Sequence, residues 1–348
     1  MRKTLWAPLA AIAGVATLAA LAFAAPQSSG YHLVKKVTLG GDGGWDYLNV
    51  DSDTHRVFIS HATHVMVVDP DGNVVGDIPN LKGTHGAALA PEFNHGFTSN
   101  GQSNSVTMFD LKTLQTIKEI PLPAMGPDGY LYDKASKRMF TFNARSQDAT
   151  AVDAQTGEVA GSVPLGGKPE TAQPDGEGHI FVNIEDKNQI LEFDSKTLKV
   201  LTTWPTESCD EPGGQAIDTA HKRLFVGCHN KAMTVVDYTN GKLVATIPIG
   251  MGVDATWFDP GTGLAFSSCG DGTITVAHQD SPDKYTVVDT IMTQNGARTM
   301  ALDTKNHNIY TVTADFAPAP PATEQNPRPR AQAVPGTFTL LIYAKGKS

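Results

Sequence analysis

Residues 235–250 read VVDYTNGKLVATIPIG: a β-branched strand ending at Asp237, a turn of Tyr238 to Gly241, and a second strand ending at Pro248. An Asp at a strand end can accept from backbone N–H groups two residues on, and Gly241 can supply a positive φ, so the stretch reads as a hairpin with its turn chemistry written in. The same hairpin recurs along the chain. Asp69, Asp110, Asp153 and Asp194 end equivalent strands, His278 does so in the sixth copy, and Gly72 and Gly157 repeat the turn glycine. Outer strands such as VVGDIP, TIKEIP and VAGSVP follow.

An aromatic strand precedes each hairpin. Its anchors are Phe58, Phe97, Phe140, Phe181, Phe225, Phe266 and Tyr310, spaced by 39, 43, 41, 44, 41 and 44 residues with a mean of 42. That period lies in the range of four-stranded propeller blades, and seven anchors predict an all-β, seven-bladed β-propeller. The seventh copy, TFTLLIYAKGKS (337–348), stops before its outer strand, while HLVKKVTLGG (32–41) is an outer strand with no blade before it. The expectation is a last blade closed by the N-terminal strand of the mature chain, which leaves no unpaired sheet edge. The hairpin and its period resemble the YVTN-repeat, YncE-like family of bacterial secreted propellers over residues 31–348. That resemblance implies the seven-bladed fold. It leaves function broad, since the family spans binding proteins and, among more distant relatives, lactonases. The Gly-His and Trp-Asp signatures of WD40 repeats do not occur at blade spacing, and Kelch repeats are longer.

The chain has 348 residues, 40% hydrophobic and 18% charged, with 33 Gly and 22 Pro, a balance suited to short strands and tight turns. It opens with Arg2 and Lys3, a long apolar stretch and Ala22-Phe23-Ala24. Residues 1–24 read as a signal peptide and 25–30 as a linker before the propeller. The rival, an uncleaved anchor over residues 5–25, is disfavoured by Pro8 and the small-x-small cleavage site. No second apolar segment of spanning length follows, so the expected location is the periplasm or the exterior, with no membrane span after cleavage. The formal charge is −9, and loss of Arg2 and Lys3 leaves 25 basic residues against 36 acidic ones. Nucleic acid is therefore not an expected partner. A small molecule or an envelope protein is, and the chain is expected to be a monomer.

In a propeller, equal repeat positions become equal heights around the axis. Counting back twelve residues from each anchor, or eleven in the shorter fourth copy, gives Asp46, His85, Asp128, Glu170, Gly213, Asp254 and Arg298, six of seven ionisable. Carboxylates converging on an axis repel one another unless a cation or Arg compensates. The ring reads as a funnel for a cationic ligand or a divalent metal. Asp46, Asp128, Glu170 and Asp254 offer oxygen ligands suited to Ca²⁺ or Mg²⁺, and His85 favours a transition metal. It reads equally as a wide, wet mouth whose side chains pair with backbone amides and neighbouring blades. A second ring, three residues after each anchor, comprises His61, Asn100, Asn143, Ile184, Cys228, Cys269 and Thr313. There His61 and His64 have an His-x-x-His spacing across a short loop, and His229 follows Cys228 in VGCHNK.

Of the three cysteines, Cys228 and Cys269 hold one repeat position in adjacent blades, on the order of 10 Å apart and beyond the roughly 7 Å limit for a bridge. Cys209, in the loop entering the fifth blade, is the expected disulfide partner of Cys228. Cys269 is left as a small semi-buried residue or a soft metal ligand. The chain has no Cys-x-x-Cys-His, Gly-x-Ser-x-Gly, Walker or His-Glu-x-x-His motif. A proline-rich stretch, residues 316–336, interrupts the seventh blade between its second and third strands, as a loose loop, a lid over the funnel or a display of Arg328 and Arg330. Two function classes remain: an exported binding or interaction propeller, and a metal-dependent hydrolase or lyase of the lactonase kind.

Overall fold

The computed structural model describes residues 28–321 and 331–346, together with Met1, Thr323 and Pro329. The signal-peptide reading, Arg328 and Arg330 fall outside the described residues. Seven four-stranded antiparallel sheets form a ring of blades. The first six blades take their strands in chain order: β2 to β5 (Trp45–Ile78), β6 to β9 (Thr84–Pro121), β10 to β13 (Pro127–Pro164), β14 to β17 (Pro169–Pro205), β18 to β21 (Pro212–Pro248) and β22 to β25 (Val253–Met292). The seventh orders its strands β26 (Met300–Leu302), β27 (Ile309–Thr313), β28 (Thr339–Lys345) and β1 (Tyr31–Thr38), with β1 antiparallel to β28. Each innermost strand packs on those of its two neighbours, and β2 packs on β26.

All seven aromatic anchors are buried, none above 1% exposure. They sit in the second strand of each blade, where the side chain is covered by the next sheet. The residue three positions on ends that strand in every blade, from His61 in β3 to Thr313 in β27.

The repeated turn follows its sequence signature. Asp110 Oδ1 accepts from Lys112 N at 2.9 Å and Thr113 N at 2.7 Å, and Asp237 Oδ1 accepts from Thr239 N at 2.9 Å. The left-handed turn position is glycine at Gly157 (φ 67°) and Gly241 (φ 73°), but Leu114 (φ 61°) and Leu198 (φ 60°) adopt it too. A left-handed leucine costs roughly 1–2 kcal/mol. Leu114 is buried against Phe58 and Phe109 of the first two blades, and burial of a leucine returns a similar amount. At Gly241 the option is closed, because a Cβ would lie 2.1 Å from Trp204.

Cys209 and Cys228 form a disulfide, Cα to Cα 5.2 Å, tying the loop before β18 to the end of β19. Closing 19 residues contributes about 3 kcal/mol in the chain-entropy picture. Cys269 is free and buried, and burial pushes its thiol up to about 12. Alkylation followed by mass spectrometry should therefore label no described cysteine in the native protein, one after denaturation and three after denaturation with reductant. Gly241→Val should lower stability by about 2 kcal/mol or more in urea melts, because it combines an unfavourable φ with displacement of Trp204.

Candidate functional site

The axial ring is built by a repeated irregularity. In each of the first six blades the first residue of the inner strand pairs with the last residue of the second strand: Trp45 with His61, Thr84 with Asn100, Pro127 with Asn143, Pro169 with Ile184, Pro212 with Cys228 and Val253 with Cys269. Immediately afterwards the register shifts. Asp46, His85, Asp128, Glu170, Gly213 and Asp254 occupy these breaks, where a bulge frees a side chain from the strict alternation of a ladder. Arg298 holds the corresponding place just before β26.

Three of these side chains form a compact cluster. His85 Nδ1 lies 2.7 Å from Asp46 Oδ2 and 3.1 Å from Asp128 Oδ1, and the three ligand atoms fall within 4.8 Å of one another. Arg298 Nε approaches Asp254 Oδ2 at 3.2 Å, an ion pair without hydrogen-bond alignment, while its Nη2 donates to the Trp45 carbonyl at 3.4 Å. Glu170 is held differently. The Tyr47 hydroxyl donates to its Oε1 at 2.8 Å, and Lys168 Nζ stands 3.7 Å from Oε2 while bonding Glu185. Tyr47 belongs to the first blade and Glu170 to the fourth, the widest separation a seven-membered ring permits, so the tyrosine spans the axis and floors the acidic cup.

The cup strains its own carboxylates. Burial pushes Asp128 up to about 6, against the opposing pull of His85, and burial together with Asp128 pushes Glu170 up to about 8. Asp46 and Asp254 are raised as well, first by burial. Burial alone would lower His85, but the Asp46 hydrogen bond with the charges of Asp128 and Glu170 reverses this and raises it. Each of the four carboxylates keeps about a fifth to a quarter of its side-chain surface open. This partial exposure to solvent tempers the shifts without changing their direction. A cluster of groups displaced from their ordinary range in a concave site is the arrangement expected of a cation or proton binder.

The other candidates are placed apart from this cluster. His61 is buried and stacks on Phe338, ring centroids 4.3 Å apart, with His64 edge-on at 5.2 Å. His64 turns to Asp77 at 3.9 Å, and among the described residues neither histidine joins a three-ligand group. His229 sits at the rim, bonded to Glu211 at 3.1 Å and grouped with Glu185. Its Nε2 lies 3.7 Å from where a Cβ on Gly213 would stand, so His229 fills the one ring position that has no side chain of its own. Cys269 points into the core with Phe225 and Met233 rather than into the cup. Tyr47 and Lys168 were not singled out from the sequence. A signal exists for Tyr47: its repeat equivalents are Gly86, Gly129, Thr171, Gly214, Ala255 and Thr299, all small.

Comparison with known proteins supports the fold. One chain in the crystal structure of the mitotic checkpoint complex superposes with a TM-score of 0.72 at 12% identity, covering 99% of this chain and 98% of that one. A chain of Kuenenia stuttgartiensis hydrazine synthase superposes with a TM-score of 0.68 at 16% identity, covering 86% and 98%. At such identities the likeness is one of the propeller fold alone. No family model and no curated protein matches the chain.

The raised carboxylates fix a pH dependence. A group whose folded pKa exceeds its unfolded one adds stability below the unfolded value and loses it as pH rises through the folded value. For Glu170 that loss runs from 4.5 to about 8, and for Asp128 from 3.8 to about 6. With chelator present, the melting temperature should fall across this window. Glu170→Gln keeps the acceptor for Tyr47 and should flatten the upper part, matching wild type near pH 4.5 and exceeding it at pH 9 by about 1–2 kcal/mol after allowance for funnel water. A variant less stable than wild type at every pH would contradict the assignment.

Proposed function

We propose that the chain is an exported binding propeller of the YncE-like kind, acting in the periplasm or outside the cell, which captures a divalent cation or a small cationic ligand in its axial cup. The observation that carries this reading is the approach of Asp46, Asp128 and His85 to a common centre, two carboxylate oxygens and one imidazole nitrogen within 4.8 Å. A proton on His85 occupies that centre when no cation does, so a metal would compete with it. Two oxygens and one nitrogen suit a transition metal such as Zn²⁺ or Mn²⁺ better than Ca²⁺ or Mg²⁺, whose preference is for oxygen alone. Glu170 and Asp254 supply further negative charge at the cup wall. The chain works as a monomer in this reading, its partner a small molecule or an envelope protein, and the disulfide accords with an oxidising compartment.

A second reading, a hydrolase or lyase of the lactonase kind, is favoured by the displaced groups themselves. Asp128 near 6 and Glu170 near 8 are poised to exchange protons at neutral pH. An ion held by Asp46, Asp128 and His85 would polarise a carbonyl, and Glu170 beside it would act as base. Hydrolysis of a lactone panel by metal-loaded protein, lost in Asp128→Asn, separates this from simple capture.

The cation reading is tested by metal analysis with thermal shift. One equivalent of Zn²⁺ or Mn²⁺ should bind, with a stabilisation that grows from pH 6 to pH 8 because protons leave the site on binding. His85→Ala and Asp128→Asn should each weaken binding by about tenfold or more. Absence of stoichiometric metal and of any shift on adding divalent ions would remove the reading.

A further inference from the structure

Beneath Tyr47 the axis opens into a chamber of about 240 Å³, lined from Tyr47 at the cup floor to Tyr132 and Pro174 near the far ends of the inner strands. It is smaller than the roughly 300–1,000 Å³ of drug-sized pockets, so its occupant is small. We propose that this chamber binds a small organic ammonium ion carrying an aromatic or apolar group, with Asp254 as its counter-ion, a ligand and a compartment distinct from the divalent-cation cluster in the cup.

The chemistry of the wall selects that class. Several of its side-chain donors are bonded to the protein. Asn49 Nδ2 donates to the Ala87 carbonyl at 2.9 Å, Gln173 Nε2 to the Gln215 carbonyl at 2.8 Å, and Thr171 Oγ1 to the Gly213 carbonyl. Gln215 Nε2 donates to Asn183 Oδ1 at 2.8 Å and Trp257 Nε1 to the Met300 carbonyl at 2.8 Å. Acceptors remain. Asp254 lines the chamber, its Oδ2 facing Arg298 Nε at 3.2 Å. An ammonium group brings its own donors to the Asp254 carboxylate. An anion would face the four carboxylates at the cup, all of which act on the Tyr47 hydroxyl at the boundary between the two compartments.

The apolar part of the ligand is matched by aromatic rings. Tyr47 and Tyr130 meet edge to face with centroids 5.7 Å apart, and Trp257 lies in the same wall. Aromatic faces beside a carboxylate are the usual provision for an organic cation, because the ring quadrupole and the full charge attract it together.

Phenethylamine, a cation at pH 7, is a suitable probe, with 2-phenylethanol as its neutral counterpart and phenylacetate as an anion. Isothermal titration of the mature chain should show phenethylamine binding, with the alcohol at least about tenfold weaker and phenylacetate silent. Asp254→Asn should weaken phenethylamine about tenfold to a hundredfold while leaving the weak alcohol signal in place. Trp257→Leu provides a second variant, expected to weaken amine and alcohol alike, should the first fail to fold. Retention of amine binding in His85→Ala would place the ligand below Tyr47 irrespective of whether the cup binds metal. No binding of phenethylamine, equal affinity for the alcohol, indifference to Asp254→Asn in folded protein, or loss of amine binding in His85→Ala would each overturn the proposal.

Discussion

Seven sheets around one axis force equivalent positions of the repeat to meet, and the electrostatics of that meeting govern the acidic end of the axis. Four carboxylates converge with one imidazole and one guanidinium. Each is compensated by a group from another blade: Asp46 and Asp128 share His85 between them, Asp254 takes Arg298, and Glu170 takes the Tyr47 hydroxyl from across the ring. The site is thus a property of the closed ring, and disturbing one member moves the charge balance of its neighbours.

Tyr47 divides the axis because its counterparts do not. Close approach of the inner strands keeps that row small: a Cβ on Gly86 would meet the Tyr130 ring at 2.0 Å, and one on Gly129 would meet the Glu170 carbonyl at 2.4 Å. A single large side chain in a row of small ones has room to cross the axis, and the hydrogen bond to Glu170 fixes where it ends. The charged cup and the aromatic chamber follow from that one departure from the repeat.

What the sequence made legible was whatever the repeat carries. The anchors predicted the blades, and the same count back from each anchor predicted the ring, because the inner strands of the first six blades shift register just after pairing with the end of the second strand. The Cys209–Cys228 disulfide was legible by the same logic, since blade position sets the distance. What was not legible was non-repeating. His61 and His64 have a ligand-like spacing, yet Phe338, supplied by the strand that follows the proline-rich stretch, stacks on His61 and fixes it in an apolar setting. His229 belongs to a different repeat position from the ring and comes beside Gly213 from the end of the second strand. Tyr47 and Lys168 act across blades, and the period alone does not say which side chain is long enough to do so.

The cup is costly, and the fold can carry that cost because its stability arises elsewhere. Buried aromatics packed between neighbouring blades hold the ring together away from the axis, while hairpin turns and one disulfide stabilise individual blades. Carboxylates displaced upward by burial are less favourable ionised in the folded chain than in the unfolded one, and protons relieve part of that penalty. A cation held there would relieve the same penalty and displace the protons. Affinity and proton release are therefore two expressions of one imbalance, and the more strongly the ring is held together by its blades, the less its acidic residues can relax by moving apart.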